Sequence, residues 1–107
     1  MQLGTAKRVT IYIDENDRLH GKNLMSALVE RMRHEGISGA TAVRAMAGFG
    51  RHGQVHTTQI LDLSSNLPVI LTVIDEPDKV DRVLPILQEM VTEGLIVVED
   101  VQVLKSS

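Results

Sequence analysis

Residues 48–53 read GFGRHG and match the spacing G-x-G-x-x-G, in which glycines let backbone N–H groups approach a phosphate. Arg51 and His52 lie within the motif and can meet the charge of an anion. A dinucleotide fingerprint requires this turn to open a helix, but residues 54–67 have no amphipathic helical pattern. A kinase loop also fits the letters, yet the chain has only 107 residues and lacks HRD and DFG motifs. The motif therefore indicates either a glycine-rich anion site or a structural bend.

The histidines raise a second chemistry, metal binding, because His52 and His56 are close together after the glycines. Two histidines in an extended segment do not share a face as they would at this spacing on a helix, and no adjacent carboxylate completes a tetrahedral set. Subunits meeting at a symmetry axis would have to supply further ligands. Loop histidines that form hydrogen bonds are therefore the favoured interpretation, and no metal site is assigned.

Enzymatic chemistry has no clear candidate in this sequence. The chain contains no cysteine, and no Ser-His-Asp or paired-carboxylate arrangement is specified. The acids Asp75, Glu76, Asp78 and Asp81 cluster where a helix begins, which is an ordinary place for carboxylates. We therefore predict that the protein is not an enzyme.

The composition is that of a folded protein, with 43% hydrophobic and 23% charged residues. At this length we expect residues 1–107 to form a single domain. A formal charge of −3 without a basic cluster argues against nucleic acid as a partner. The absence of cysteine and of an apolar leader favours a cytoplasmic location.

The hydrophobic pattern predicts two strand-helix-strand units. The first consists of a strand at Arg8–Ile13, a helix from the N-cap Asn23 to the stop at Gly36, and a strand at Ala40–Ala47. The second consists of a strand at Pro68–Ile74, a helix and a strand at Leu95–Leu104. Its helix is expected to have Asp75 or Glu76 as the N-cap, to begin at Pro77 and to end at Gly94. This order predicts an α+β, ferredoxin-like βαββαβ sandwich with an antiparallel sheet.

The connection between the second and third strands is unusually long. Roughly 15–20 residues separate Gly48 from Pro68, whereas about 2–5 residues usually join adjacent antiparallel strands. Within it, Val55–Leu63 has no helical stripe and is expected to be a loop or an extended arm. Such a long loop with glycines at its base favours a functional segment.

The strands carry apolar residues on both faces, although helices cover only one face of such a sheet. In Pro68–Ile74, Val69, Leu71 and Val73 point one way, and Ile70 and Ile74 point the other. The last strand repeats this, with Leu95, Val97, Val101 and Val103 opposite Ile96, Val98 and Leu104. A large exposed apolar face is rare on a monomer, so we expect the chain to assemble as a homo-oligomer.

A polar cluster precedes the first helix, at Asp17, Arg18, His20 and Lys22. A helix N-terminus favours anions, so this cluster is a candidate second part of a ligand site. A solvated turn with ordinary capping is the alternative, and we favour it.

Together these residues resemble a known family. A strand that ends in Gly-Phe-Gly-Arg and leads into a long loop resembles the corresponding segment of the PII signal-transduction proteins. The segments KRVTIYIDENDRLHGKNL, GATAVRAMAGFGRHGQVHT, ILDLSSNLPVILTVID and EGLIVVEDV resemble the PII-like family called domain of unknown function 190. The resemblance covers nearly the whole chain and is specific in order and spacing.

The resemblance implies a trimeric PII-like signalling protein that binds a small anionic ligand between subunits. An adenine nucleotide, such as AMP, ADP, ATP or cyclic AMP, is the implied ligand, and a membrane transport protein is the implied partner. The implied ligand-binding residues are Gly48, Phe49, Gly50, Arg51, His52 and Gly94. The alternative is a trimer that binds divalent metal, as in the similarly folded CutA proteins.

Overall fold

The computed structural model describes residues 1–49, the backbone of residues 55–57, and residues 66–106. Its first half contains β1 (Gly4–Asp14), β2 (Arg18–Leu19), β3 (Lys22–Asn23), α1 (Leu24–His34), β4 (Ala40–Arg44) and β5 (Ala47–Phe49). Its second half contains β6 (Val55–Thr57), β7 (Pro68–Asp75), α2 (Pro77–Met90) and β8 (Leu95–Val103). Four long strands form one antiparallel sheet in the order β4-β7-β1-β8. This is the predicted ferredoxin-like α+β arrangement.

The helices pack on one face of this sheet and enclose the core. Alternate residues of the second half of β1 and of β7 belong to it, namely Val9, Ile11, Ile13, Val69, Leu71 and Val73. Four fully buried helix residues complete it, namely Leu28, Met32, Val83 and Leu87. The apolar residues at helical spacing in α1 and α2 therefore pack against the apolar residues at every second strand position and form one core layer with them. Neither described helix has the length and apolar character that a membrane crossing requires.

The first helix begins and ends as its sequence predicts. Asn23 is the N-cap, and its Oδ1 accepts a hydrogen bond of 3.0 Å from the Ser26 N–H. The helix ends at His34, and Gly36 follows with a φ of +83°, a conformation that glycine adopts without strain.

Three predicted boundaries are wrong. The first strand begins at Gly4 rather than at Arg8. The segment Ala40–Ala47 is not one strand, because β4 ends at Arg44 and β5 leaves the sheet to pair with β6. At the break, the Ala45 N–H donates to the Pro68 carbonyl at 2.9 Å. The second helix ends at Met90 rather than at Gly94, because the buried Val91 is already in an extended conformation.

The start of α2 involves both of the residues that the sequence proposed as its cap. Glu76 occupies the N-cap position, but its side chain makes no capping hydrogen bond. The fully buried Asp75 instead accepts hydrogen bonds of 2.8 Å from the backbone N–H groups of Glu76 and Ser38. Burial raises the pKa of Asp75, but these hydrogen bonds outweigh burial and hold the pKa below its ordinary value. Asp75 therefore joins the start of α2 to the turn before β4.

The face of the sheet opposite the helices is called the open face below, and the row of residues nearest one end of it is apolar. Across its first row, Val43, Ile70, Tyr12 and Leu95 are neighbours in register on the four strands. Tyr12, Val43 and Leu95 are 40%, 52% and 56% exposed. The next row contains Thr41, Thr72, Thr10 and Val97. An apolar row of this width is typical of a surface that another molecule covers.

Candidate functional site

The predicted ligand residues that the structure describes lie at one end of the sheet. At this end β1 and β4 finish and β7 and β8 begin, and we call it the site end. Gly48 lies against Pro68, the first residue of β7, and Gly94 lies against Tyr12 and Ile13 near the end of β1. Helix α1 also begins here, because the Leu24 N–H donates to the Asp17 carbonyl at 2.9 Å. Gly50, Arg51 and His52 lie outside the described residues.

Gly48 allows β5 to cross close to the start of β7. A Cβ atom built on Gly48 would lie 3.0 Å from Cγ of Pro68, which is tighter than an ordinary contact. The next residue, Phe49, is 73% exposed. The glycine therefore has a packing role at the base of the long connection, and Phe49 offers an apolar ring at its surface.

Gly94 is required by a closer approach. Its φ is +153°, and an added Cβ would lie 2.8 Å from the Tyr12 carbonyl oxygen and 2.9 Å from Cγ1 of Val91. No side chain fits there without moving the backbone. The turn that leads into β8 is thus pressed onto the end of β1, which brings its backbone to the site end.

Glu15 organises the site end, a role that no sequence pattern indicates. Its Oε2 accepts a hydrogen bond of 2.6 Å from Nε of Arg44, and its Oε1 accepts one of 3.0 Å from Nη2. The same Oε1 accepts the Leu67 N–H at 3.0 Å. Arg44 is the last residue of β4, and Leu67 immediately precedes β7. One carboxylate therefore joins the two strand ends from which the long connection leaves and to which it returns.

The backbone of Glu15 extends this arrangement. Its N–H donates to the Leu67 carbonyl at 2.9 Å, and its carbonyl accepts a hydrogen bond of 3.0 Å from Nδ2 of Asn23, the N-cap of α1. Next to it, the Asn16 N–H donates to Oδ1 of Asn66 at 3.2 Å. We call the contacts of Glu15 with Arg44 and Leu67 the Glu15 clamp.

The Glu15 clamp makes stability depend on pH. The hydrogen bonds from Arg44, and then the Leu67 N–H, hold the pKa of the Glu15 carboxyl below its ordinary value. Since the folded-state pKa lies below the unfolded one, the stabilisation is complete above the unfolded value of about 4.3. It is lost as the pH falls through the folded-state pKa.

We expect carbon-detected NMR to find Glu15 titrating at lower pH than the same residue in an unfolded peptide. We also expect Glu15→Gln to lessen the loss of stability on acidification, with Asp75, whose pKa is likewise lowered, contributing to the slope that remains. Titration of Glu15 at or above the peptide value would contradict the clamp.

The polar cluster before α1 forms a tight hairpin of β2 and β3. His20 has a φ of +50° and Gly21 a φ of +82°, so the two-residue turn has positive φ at both positions. The Asp17 carboxylate accepts the Asp14 N–H at 3.0 Å. These contacts fit the favoured interpretation of a capped turn, and the hairpin adds Arg18 and Lys22 to the site end.

The metal alternative depends largely on residues that the structure does not describe. His52 is one of them, and only the backbone of His56 is described, opposite Gly48 in the β5-β6 pair. Within residues 1–49 and 66–106, no group of three or more histidine, aspartate or glutamate residues is arranged to hold a metal ion. The alternative therefore stays a prediction.

Solved structures with the same fold include PII-like proteins. CPII of Thiomonas intermedia K12, a nitrogen regulatory PII-like protein bound to ADP, AMP and bicarbonate, matches with a TM-score of 0.68 and 18% identity, over 96% of this chain and 99% of that one. A protein of Thermus thermophilus, provisionally described as a PII-like signalling protein, matches with a TM-score of 0.64 and 25% identity, over 96% and 93%. The chain thus has the PII-like form of the ferredoxin-like fold.

The sequence comparisons give the family. Residues 6–103 match the model of DUF190, described as "Uncharacterized ACR". A UPF0166 protein of Aquifex aeolicus is 35% identical over 97% of this chain and 98% of its own length. Another from Methanocaldococcus jannaschii is 39% identical over 94% and 93%. The chain therefore belongs to the DUF190 (UPF0166) family, as its motifs predicted.

Proposed function

We propose that this protein is a PII-like regulator that binds an adenine nucleotide at the site end. The observation that supports this most directly is the convergence there of the β5 crossing at Gly48, the close turn at Gly94 and the start of α1. Closely approached backbone and a helix N-terminus suit an anionic ligand. The similarly folded Thiomonas protein, bound to ADP and AMP, supports the choice of nucleotide.

The proposal assigns separate tasks to the ligand residues. Backbone N–H groups near Gly48 and Gly50 bind phosphate or ribose, and Arg51 and His52 supply positive charge. The Gly94 turn closes the site from the β8 side.

The open face completes the proposed site by self-association. In the proposed trimer, Tyr12, Val43 and Leu95 are covered by other subunits, and the nucleotide lies in the clefts between them. Burial of this apolar row supplies the driving force for assembly. We propose that the nucleotide changes what the long connection presents to a partner, a membrane transport protein, and that the protein performs no catalysis.

Calorimetric titration with AMP, ADP, ATP and cyclic AMP tests the nucleotide proposal. We expect at least one of them to bind, and Arg51→Ala to weaken that binding about tenfold through loss of a charge-assisted hydrogen bond. Arg33→Ala is the matched control, because Arg33 forms an exposed ion pair with Glu30 on α1, 2.6 Å long. Its affinity should equal that of the wild type.

Two results would count against the proposal. If none of the four nucleotides produces heat or a thermal shift, nucleotide binding is wrong. If phosphate is released steadily from ATP by the wild type but not by Arg51→Ala, the protein is an enzyme rather than a binding regulator.

A further inference from the structure

The Glu15 clamp lies at the proposed site, but the charges of Glu15 and Arg44 are paired with each other. The Glu15 carboxylate is occupied by Arg44 and by the Leu67 N–H, and the Arg44 guanidinium turns two of its nitrogens toward that carboxylate. Arg44 is thus an arginine beside a candidate anion site whose charge is already paired. This leaves two different roles open to the pair, and they predict opposite responses to substitution.

We propose that Glu15 is a positioning residue of the nucleotide site, which holds the end of β4 and the start of β7 at the spacing that binding requires. The inference rests on the proposed function and concerns residues that touch no ligand themselves. The clamp joins the ends of three adjacent strands of the four-stranded sheet: Glu15 follows β1, Arg44 ends β4 and Leu67 precedes β7.

The hydrogen bond between the Leu67 N–H and Glu15 is needed because Leu67 is buried. Leu67 is fully buried, so its N–H is removed from water and needs an acceptor within the protein. Glu15 provides that acceptor with a side chain that is 22% exposed, where a charged hydrogen bond is less screened than on an open surface. Loss of the carboxylate leaves the Leu67 N–H without this acceptor and removes the bidentate partner of the Arg44 guanidinium.

The backbone contacts show what the clamp positions. The Ala45 N–H, one residue after Arg44, donates to the Pro68 carbonyl, one residue after Leu67. Pro68 is also the residue against which Gly48 packs. A change in the spacing of Arg44 and Leu67 is therefore transmitted over a few residues to the β5 crossing at Gly48, where the proposal places phosphate or ribose.

In the opposite role, Arg44 itself binds the anionic ligand, and Glu15 competes with the ligand for the guanidinium. If Arg44 bound the anion directly, removing the charge of Glu15 would release Arg44 and strengthen binding. Removal of a negative charge near an anion also favours binding by simple electrostatics. Weaker binding by Glu15→Gln would therefore run against both effects and identify positioning as the dominant one.

The experiment is calorimetry with AMP and with ADP on the full chain. We expect Glu15→Gln and Arg44→Met each to weaken binding about tenfold. The double variant should bind no more weakly than Glu15→Gln alone, because that substitution already disrupts the contact with Arg44. Glu30→Gln is the matched control, since it breaks an exposed Glu-Arg pair on α1 and should leave affinity unchanged. Unchanged or tighter binding by Glu15→Gln would overturn the proposal.

A second readout needs no nucleotide. The Leu67 amide should exchange its hydrogen more rapidly in Glu15→Ala than in the wild type, while Glu15→Gln, which keeps an acceptor oxygen, should fall between them. If the wild type binds neither AMP nor ADP, the proposed function fails, and the Leu67 exchange rate still decides about the clamp. Equal exchange in wild type and Glu15→Ala would show that Glu15 does not hold the strand ends.

Discussion

Gly94→Ala is expected to lower the free energy of unfolding by about 3 kcal/mol, because strained backbone and overpacking each cost about 1–3 kcal/mol. The added Cβ would meet the Tyr12 carbonyl oxygen at 2.8 Å and Cγ2 of Ile13 at 3.0 Å. Neither is the far end of a flexible side chain, so the turn or the end of β1 must move. Denaturant unfolding measured by circular dichroism gives the difference directly.

Two other glycines provide graded controls. Gly36 has a φ of +83° with open space around its Cβ position, so Gly36→Ala should cost only the backbone strain, about 1 kcal/mol. Gly39 has neither a positive φ nor a close neighbour, so Gly39→Ala should be nearly neutral. Equal effects of all three substitutions would contradict the proposed approach of the Gly94 turn to β1.

Leu95→Glu is expected to convert the proposed trimer into a monomer. Leu95 lies on the open face beside Tyr12, and the structure leaves it more than half exposed in the single chain. A glutamate there can stay hydrated in a monomer but would be buried without a partner in the assembly, at a cost of several kcal/mol. Light scattering at low micromolar concentration reports the mass of each species.

Leu104→Glu is the matched control for this substitution. Leu104 is 86% exposed but lies beyond the end of β8 and outside the rows of the open face. We expect it to retain the wild-type mass. A wild-type chain that is monomeric at this concentration would contradict the assembly, and so would a Leu95→Glu variant that keeps the mass of the wild type.

The parts of the fold that short-range signals determine could be predicted from the sequence. Alternation in β1 and β7, the Asn23 cap and the Gly36 stop each depend on residues a few positions apart, and each is found where expected. The predicted end of α2 at Gly94 was wrong because glycine is only a common stop signal. The helix ends earlier, where Val91 turns to bury its side chain.

The organisation of the site end could not be read from the sequence, because its contacts join distant positions. Arg44 and Leu67 follow Glu15 by 29 and 52 residues, and no spacing rule connects them. Asp75 could be proposed as a cap for α2, but its second partner, Ser38, belongs to another turn and could not be foreseen. The sequence marks the glycines as candidate turn or ligand residues. That Gly94 also permits close packing is visible only in the structure, where the Tyr12 carbonyl oxygen lies next to its Cβ position.

A crystal structure of the full chain, from crystals grown with ADP or AMP, would show directly whether and where the protein binds an adenine nucleotide. We expect nucleotide density at the site end, with phosphate or ribose beside Gly48 and the Gly94 turn, in a cleft that a second subunit completes. Density in a different place, or a fully formed site within one isolated chain, would contradict it.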